Sequence, residues 1–188
     1  MGIPTRDHTG VLQTALGLPA VERRLRETWP DAELDVGVTA ASNIPRGRNA
    51  LLGGFRERVT EDTAWMLWLD SDILVCDPAR LGEYLARSLS SGVGFMGDYR
   101  MADGRSHMMK TRDLEDAPHY TPEELAELPD MAEIGMGGFG CLFIRQPMKY
   151  IFQAHVLGED VIFFHDHPDL KVGYAKNLEL RHLKSIWL

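Results

Sequence analysis

The stretch Trp65-Met66-Leu67-Trp68-Leu69, followed at once by Asp70-Ser71-Asp72, says most about the fold of this chain. Five bulky apolar residues in a row are typical of a strand that is buried on both faces of a sheet. Ligands of α/β sheets bind in the crevice beyond the carboxyl ends of the strands. We therefore expect the two carboxylates that end this stretch to lie at the rim of a pocket.

Helix and strand patterns alternate along the chain, which predicts an α/β fold. Short apolar runs predict strands over 2–5, 34–38, 63–69, 93–96, 141–144 and 172–174. Helical spacing of apolar residues predicts helices over 11–18, 21–29, 46–58, 78–89, 123–127, 148–154 and 159–165. No repeat or linker divides the sequence, so we expect one domain over residues 1–188, with residues 97–130 as a long loop or lid.

Composition narrows the class of protein. The formal net charge of -8 disfavours non-specific DNA binding, which depends on Lys and Arg contacts to phosphates. No apolar run reaches the ~20 residues that span a bilayer, and the first residues lack the apolar stretch of a signal peptide. These features predict a soluble cytoplasmic protein. Cys76 and Cys141 both flank apolar stretches, which favours buried free thiols.

Asp70 and Asp72 are candidate metal ligands. Two carboxylates at positions i and i+2 can face one hard cation from a turn, and Mg²⁺ or Mn²⁺ prefers oxygen ligands and often shares them with substrate phosphates. Such a cation neutralises charge that builds on a leaving diphosphate. The alternative is a solvated turn in which the Asp-x-Asp (DxD) pattern is incidental.

Two further segments carry candidate ligand-binding groups. Arg48 and Asn49 lie at the start of a predicted helix, where anions are favoured, so Arg48 can contact a diphosphate and Asn49 a base or the DxD loop. The alternative is a capped surface helix with solvated arginines. The run 135–140 has four glycines, which let a backbone approach a ligand closely; the alternative is a flexible turn.

Acidic and imidazole side chains complete the candidate set. Glu159 or Asp160 can act as a general base on an acceptor hydroxyl, or both can cap the helix that follows them. His182 is a reasonable third ligand for Mn²⁺, although a lone His is more often a surface or satisfied residue. The His165 and His167 pair is better explained as part of a helix end than as a metal site.

Taken in order, these segments resemble the short GT-A glycosyltransferases found in bacteriophage and bacterial genomes. The segments that carry the resemblance are Ile3-Pro4-Thr5-Arg6, Arg48-Asn49, 65–72, 135–144, Gly158-Glu159-Asp160 and His182. It covers nearly the whole chain. The first strand is unusually short for this family, and residues 97–130 have no family signature.

The resemblance implies a Rossmann-like mixed central sheet flanked by helices, a UDP- or GDP-sugar donor, and Mn²⁺ or Mg²⁺ as cofactor. Residues implied at the nucleotide-sugar are Pro4, Thr5, Arg6, Arg48, Asn49, Asp70, Ser71, Gly137 and Gly138, the two glycines forming the floor of the sugar pocket. Residues implied at the metal are Asp70, Asp72 and His182, with Asp72 favoured as the direct ligand and Asp70 nearer the ribose.

The resemblance also implies that Glu159 and Asp160 meet the donor sugar and the acceptor hydroxyl. Asp160 is the general base if the enzyme inverts the anomeric centre, and the two acids orient the donor sugar if it retains it. The acceptor is a glycan, a small molecule or a hydroxylated base in phage DNA, and the enzyme then works in the cytoplasm of a bacterial host. Residues 97–130 would lie on the acceptor side.

Two other classes of protein remain open. Haloacid dehalogenase-like phosphatases also place Asp-x-Asp after a strand, but their pattern continues with Thr or Val and the strand comes early, whereas Ile73-Leu74 follows here after a long preceding segment. A non-catalytic nucleotide- or sugar-binding module is the third class.

Overall fold

A mixed sheet flanked by helices forms the centre of the fold. The computed structural model describes residues 2–5, 9–31, 37–40, 44–57, 64–70, 72–101 and 103–182. The strands are Gly2–Thr5 (β1), Gly37–Ala40 (β2), Trp65–Leu69 (β3), Ile73–Val75 (β4), Gly94–Met96 (β5), Cys141–Arg145 (β6), Val172–Tyr174 (β7) and Leu180–His182 (β8). The helices are Thr9–Thr28 (α1), Ile44–Arg56 (α2), Pro78–Ser91 (α3), Pro122–Glu127 (α4) and Glu159–Asp166 (α5).

Six strands form one sheet in the order β2, β1, β3, β6, β5, β7, and β4 pairs with β8 in a separate sheet. Within the large sheet β6 runs antiparallel to its neighbours β3 and β5, and the other pairings are parallel. The carboxyl ends of β3 and β5 and the amino end of β6 therefore meet at one edge. Two backbone hydrogen bonds close this edge, from Asp70 N to Gly140 O at 3.0 Å and from Gly97 N to Cys141 O at 3.0 Å.

β3 confirms the expectation of a strand that is buried on both faces. Met66 and Trp68 belong to one hydrophobic cluster, and Leu67 and Leu69 belong to the other. Successive side chains of a strand point to opposite faces, so this alternation places one cluster on each side of the sheet. Charges that follow such a strand directly are held at the edge of the core.

Local sequence explains several helix ends. The Asp77 side chain accepts a hydrogen bond from Arg80 N at the start of α3, and Gly92 ends that helix with φ 77°. Only glycine adopts that left-handed conformation without strain. Thr121 and Glu124 form a capping box at the start of α4. α1 is continuous across Pro19, although two separate helical stretches were expected there.

The helix predicted over 148–154 is wrong. A short 3-10 turn, Pro147–Lys149, is followed by irregular backbone. The Asn49 side chain explains the difference, because its Nδ2 donates to Phe152 O at 2.8 Å and its Oδ1 accepts from Phe152 N at 3.0 Å. A backbone whose polar groups bind a side chain of another element cannot also make helical hydrogen bonds. The strand expected over 34–38 lies partly outside the described residues, and β2 begins at Gly37.

Residues 97–130 are irregular apart from α4, as expected. They nevertheless contribute buried side chains to the core, including Met108 and Leu125. Arg112 fastens this segment, because its guanidinium donates to the backbone oxygens of Gly135, His167 and Leu170. Its action as a lid stays a prediction.

A polar cluster, which we call the Asp130 cluster, joins α3 to the segment before β8. The Asp130 carboxylate accepts from Tyr84 Oη at 2.6 Å, from Arg87 Nη1 at 2.5 Å and from Lys176 N at 3.2 Å. Asn177 N in turn donates to Tyr84 Oη at 3.1 Å. Burial alone would raise the pKa of Asp130, but these hydrogen bonds outweigh it and the pKa is lowered.

The two cysteines are free thiols. Cys141 is buried as expected, but Cys76 is exposed, so that part of the expectation is wrong. Cys76 follows β4, along which exposure increases from the buried Ile73 to the partly exposed Leu74 and Val75. None of the helices in the described part of the chain combines the length and the apolar character needed to cross a bilayer.

Candidate functional site

A buried arginine lies at the centre of the polar groups at the carboxyl edge. The Arg48 side chain, on the first turns of α2, is 1 % exposed. Its Nη2 lies 2.9 Å from Asp70 Oδ1 and 3.8 Å from Glu159 Oε1. Three different elements, namely α2, the end of β3 and the start of α5, therefore converge on one cation. This burial removes the alternative of a solvated surface arginine.

Aromatic rings surround the Arg48 guanidinium. Its Cζ lies 4.9 Å from the ring centroid of Phe139, 5.8 Å from that of Phe152 and 5.9 Å from that of Trp68. Cation–π contacts of this kind partly compensate a cation for the loss of water. Its Nε and Nη1 are buried and have no hydrogen-bond partner among the described residues. Buried donors without partners are rare and are found at functional sites.

Asp72 and His182 meet on the other side of the site. Asp72 Oδ2 lies 3.3 Å from His182 Nε2. The two-stranded sheet explains this contact, because Ile73, the residue after Asp72, is paired with His182 in the register of β4 and β8. No strand was predicted at either position.

The side chains of Asp72 and His182 are suitable as two of the ligands of a divalent cation. Two cis ligands of one octahedral Mg²⁺ are about 3 Å apart, close to the distance between these two atoms. Asp70 instead uses Oδ1 to bind Arg48. Within the described ranges no group of three or more His, Cys, Asp or Glu side chains is arranged to hold a metal ion. The described residues thus offer two neighbouring candidate ligands.

Two carboxylates of the site have raised pKa values. Burial raises the pKa of Asp70, Asp72 raises it further, and the charge of Arg48 offsets part of the effect. Burial also raises the pKa of Asp160, and the neighbouring charge of Glu159 adds to it. Asp160 Oδ1 accepts from Val161 N at 2.9 Å. Carboxylates that are desolvated in this way are poised to accept protons or donors from a ligand.

The glycines before β6 leave room for side chains of this chain. A Cβ on Gly137 would collide with Met96 Sδ, and a Cβ on Gly138 or Gly140 would collide with the ring or hydroxyl of Tyr99. Packing thus explains why these positions are glycine, and it is a different reason from the close approach of a ligand that the sequence suggested. That Gly137 and Gly138 form the floor of a sugar pocket stays a prediction.

Tyr99 and His107 are site residues that the sequence analysis missed. Their rings stack with centroids 3.9 Å apart and 13° between the planes. His107 Nδ1 lies 3.2 Å from Tyr99 O and 3.4 Å from Asp98 Oδ1, whereas its buried Nε2 has no hydrogen-bond partner among the residues that the structure describes. One signal was available, because Tyr99 follows β5 as Asp70 follows β3. This signal can be recognised only when β3 and β5 are known to end at the same edge of the sheet.

The remaining predicted residues are placed as follows. Pro4 and Thr5 end β1, which is parallel to β3, at the same edge of the sheet. Arg6 and Ser71 lie outside the described residues. The amide of Asn49 is engaged with the backbone of Phe152, so its observed contacts are structural. Its contact with a nucleotide stays a prediction.

Comparisons with known proteins add little beyond the fold. No protein-family model and no curated protein matches the chain. Among solved structures 14 chains match, including an active-site mutant of LgtC, which aligns over 93% of this chain and 72% of its own with 15% identity and a TM-score of 0.31. Those values give no basis for transferring a function. The chain's own sheet and helices make it a mixed α/β protein.

Proposed function

We propose that this chain is a metal-dependent glycosyltransferase, which moves a sugar from a nucleotide-sugar to an acceptor hydroxyl. One observation carries the proposal: Arg48, Asp70 and Glu159 meet at the carboxyl edge of the sheet, with buried donors that no described residue satisfies. Asp72, His182 and Asp160 extend the same group of side chains. Ligands of α/β proteins bind at this edge, and orphaned polar atoms there are suited to a polar ligand.

Asp72 and His182 are proposed to hold Mn²⁺ or Mg²⁺. Mg²⁺ is usually bound by one or two protein carboxylates, and waters and substrate phosphates complete its shell. Two ligands from the chain are therefore compatible with a cation that arrives with a nucleotide diphosphate. When bound, such a cation would neutralise charge on the leaving diphosphate. Asp70, whose Oδ1 accepts from Arg48, is proposed to lie nearer the ribose.

Asp160 is proposed as the carboxylate that meets the reacting groups. Val161 N occupies Oδ1, which leaves Oδ2 toward Gly138. Its raised pKa makes it a better proton acceptor than an exposed carboxylate. In an inverting reaction Asp160 takes the proton of the acceptor hydroxyl, and in a retaining reaction Glu159 and Asp160 orient the donor sugar.

The proposal is tested by measuring nucleotide release. Purified protein is incubated with UDP-glucose, UDP-galactose, UDP-N-acetylglucosamine or GDP-mannose, with and without Mn²⁺, alone and with a panel of glycans, small alcohols and DNA containing hydroxymethylated bases. We expect Mn²⁺-dependent release of UDP or GDP that an acceptor from the panel accelerates. In the variant Asp72→Asn, addition of Mn²⁺ should no longer accelerate the release of UDP or GDP.

Two results would replace the proposal. Turnover of a chromogenic phosphate ester that disappears in Asp70→Asn, without turnover of any nucleotide-sugar, would identify a phosphatase. Tight binding of a nucleotide-sugar without release or transfer under any condition would identify a binding module.

A further inference from the structure

We infer that Tyr99 contacts the substrate in this site, and that its phenol O–H donates a hydrogen bond to a hydroxyl of the donor sugar, which in turn donates to Asp160. The inference rests on the proposed function and adds a residue outside all the sequence motifs. It also specifies the chemistry of the recognised group.

Tyr99 and Asp160 both border Gly138 on the side where a Cβ would stand. A Cβ built on Gly138 would collide with Tyr99 Oη and would lie 3.4 Å from Asp160 Oδ2. Both oxygens therefore border the backbone of one glycine. A polar group held between these two oxygens would meet a phenol on one side and a carboxylate on the other.

The Tyr99 ring is fixed before any ligand binds. It stacks on the buried His107 ring at a centroid distance of 3.9 Å, and its other surroundings include His182 at 5.5 Å. The absence of a side chain at Gly140 allows the ring to pack directly on that backbone. This packing restrains the ring, so the fold sets the position of the hydroxyl, which lowers the entropy cost of binding a ligand.

Among the described residues the Tyr99 hydroxyl bonds to the Gly140 backbone, whose N–H donates to the phenol oxygen, so the phenol proton is left for a ligand. The phenol carries its proton at neutral pH, since the ordinary pKa of tyrosine is about 10. An ionised Asp160 only accepts hydrogen bonds. The group between them must accept from Tyr99 and donate to Asp160, as a sugar hydroxyl does. A phosphate oxygen cannot donate and would be repelled by the carboxylate.

The test compares ligands with and without the sugar. Titration calorimetry with Mn²⁺ measures the affinities of the wild type and Tyr99→Phe. UDP is compared with UDP-galactose and UDP-glucose, and GDP is compared with GDP-mannose. The phenylalanine keeps the ring stack and removes only the hydroxyl. We expect about three- to tenfold weaker binding of the nucleotide-sugar and unchanged binding of the nucleotide alone, as the loss of one hydrogen bond predicts.

Tyr84→Phe is the matched control, because it removes a phenol hydroxyl from the Asp130 cluster. It should leave both affinities unchanged. If Tyr99→Phe binds the nucleotide-sugar as tightly as the wild type, or loses affinity equally for the nucleotide alone, the inference is wrong. A folded wild type that binds neither kind of ligand would instead refute the proposed function, and the inference with it.

Discussion

The site at the carboxyl edge and the Asp130 cluster are built from the same residue types and behave in opposite ways. Each contains a buried or half-buried carboxylate, an arginine and a tyrosine. In the Asp130 cluster three donors reach one carboxylate, and its pKa is lowered. In the site the pKa values of Asp70 and Asp160 are raised, and two Arg48 nitrogens have no hydrogen-bond partner in the described part of the chain.

The difference indicates what each cluster is for. A carboxylate with all its donors present stabilises the fold and has little capacity left for a ligand. A site whose carboxylates are desolvated and whose donors are unsatisfied costs stability until a ligand completes it. The Asp130 cluster is thus a structural clamp, and the proposed function makes the site at the carboxyl edge a place prepared for a polar substrate.

The largest expected effect is on turnover in the site. Asp160→Asn should lower nucleotide release from a nucleotide-sugar at least about 100-fold, because the amide cannot accept a proton. The free energy of unfolding should stay equal or rise, since the change removes a desolvated charge. Steady-state assays and urea unfolding measure the two quantities. A variant that loses stability and activity together would make Asp160 a structural residue.

Asp130→Ala should show the reverse. Removing this acceptor leaves the Tyr84 hydroxyl and Arg87 without their partner, which should lower the free energy of unfolding by about 1–3 kcal/mol in urea. Affinity for UDP with Mn²⁺ should not change. Asp103→Ala, which breaks an exposed ion pair with Arg105, is the control and should have almost no effect on stability. An Asp130 variant as stable as this control would contradict the clamp.

The two clusters should also respond oppositely to acid. The lowered pKa of Asp130 gives stability that is present above its unfolded pKa of about 3.9 and is lost as the pH falls through the folded value. The raised pKa of Asp160 gives a destabilisation that appears as the pH rises from the unfolded value through the folded one. From pH 7 toward pH 4 the wild type should therefore gain stability relative to Asp160→Asn. Parallel unfolding curves for the two proteins would contradict this.

The smallest expected effect concerns the helix beside the clamp. Lys176 Nζ donates to Ala126 O at 2.6 Å and Leu128 O at 2.8 Å at the end of α4. Lys176→Met should lower the free energy of unfolding by about 0.5–1 kcal/mol, because terminal carbonyls lose a cation. Lys171→Met, in an exposed pair with Glu133, is the control. Equal stability of the two variants would show that this cap contributes nothing.

Sequence patterns predicted those residues of the candidate site that can be recognised from their neighbours in the sequence. Asp70 could be found because five apolar residues precede it, and Arg48 and Asp160 because each lies at the start of a helix. Tyr99 could not be found, since its place beside Gly138 depends on the pairing of β5 with β6. The helix expected over 148–154 was wrong for a similar reason, because the competing partner, Asn49, comes from about a hundred residues earlier in the chain.

The most direct test of the central claim is calorimetric titration of UDP and GDP into the wild type and Asp72→Asn, each with and without Mn²⁺. The account predicts that the wild type binds one of the two nucleotides far more tightly with Mn²⁺, and that Asp72→Asn, while folded, loses this dependence. Nucleotide binding that is indifferent to Mn²⁺, or that Asp72→Asn retains in full, would contradict a metal-assisted nucleotide-sugar site at the carboxyl edge.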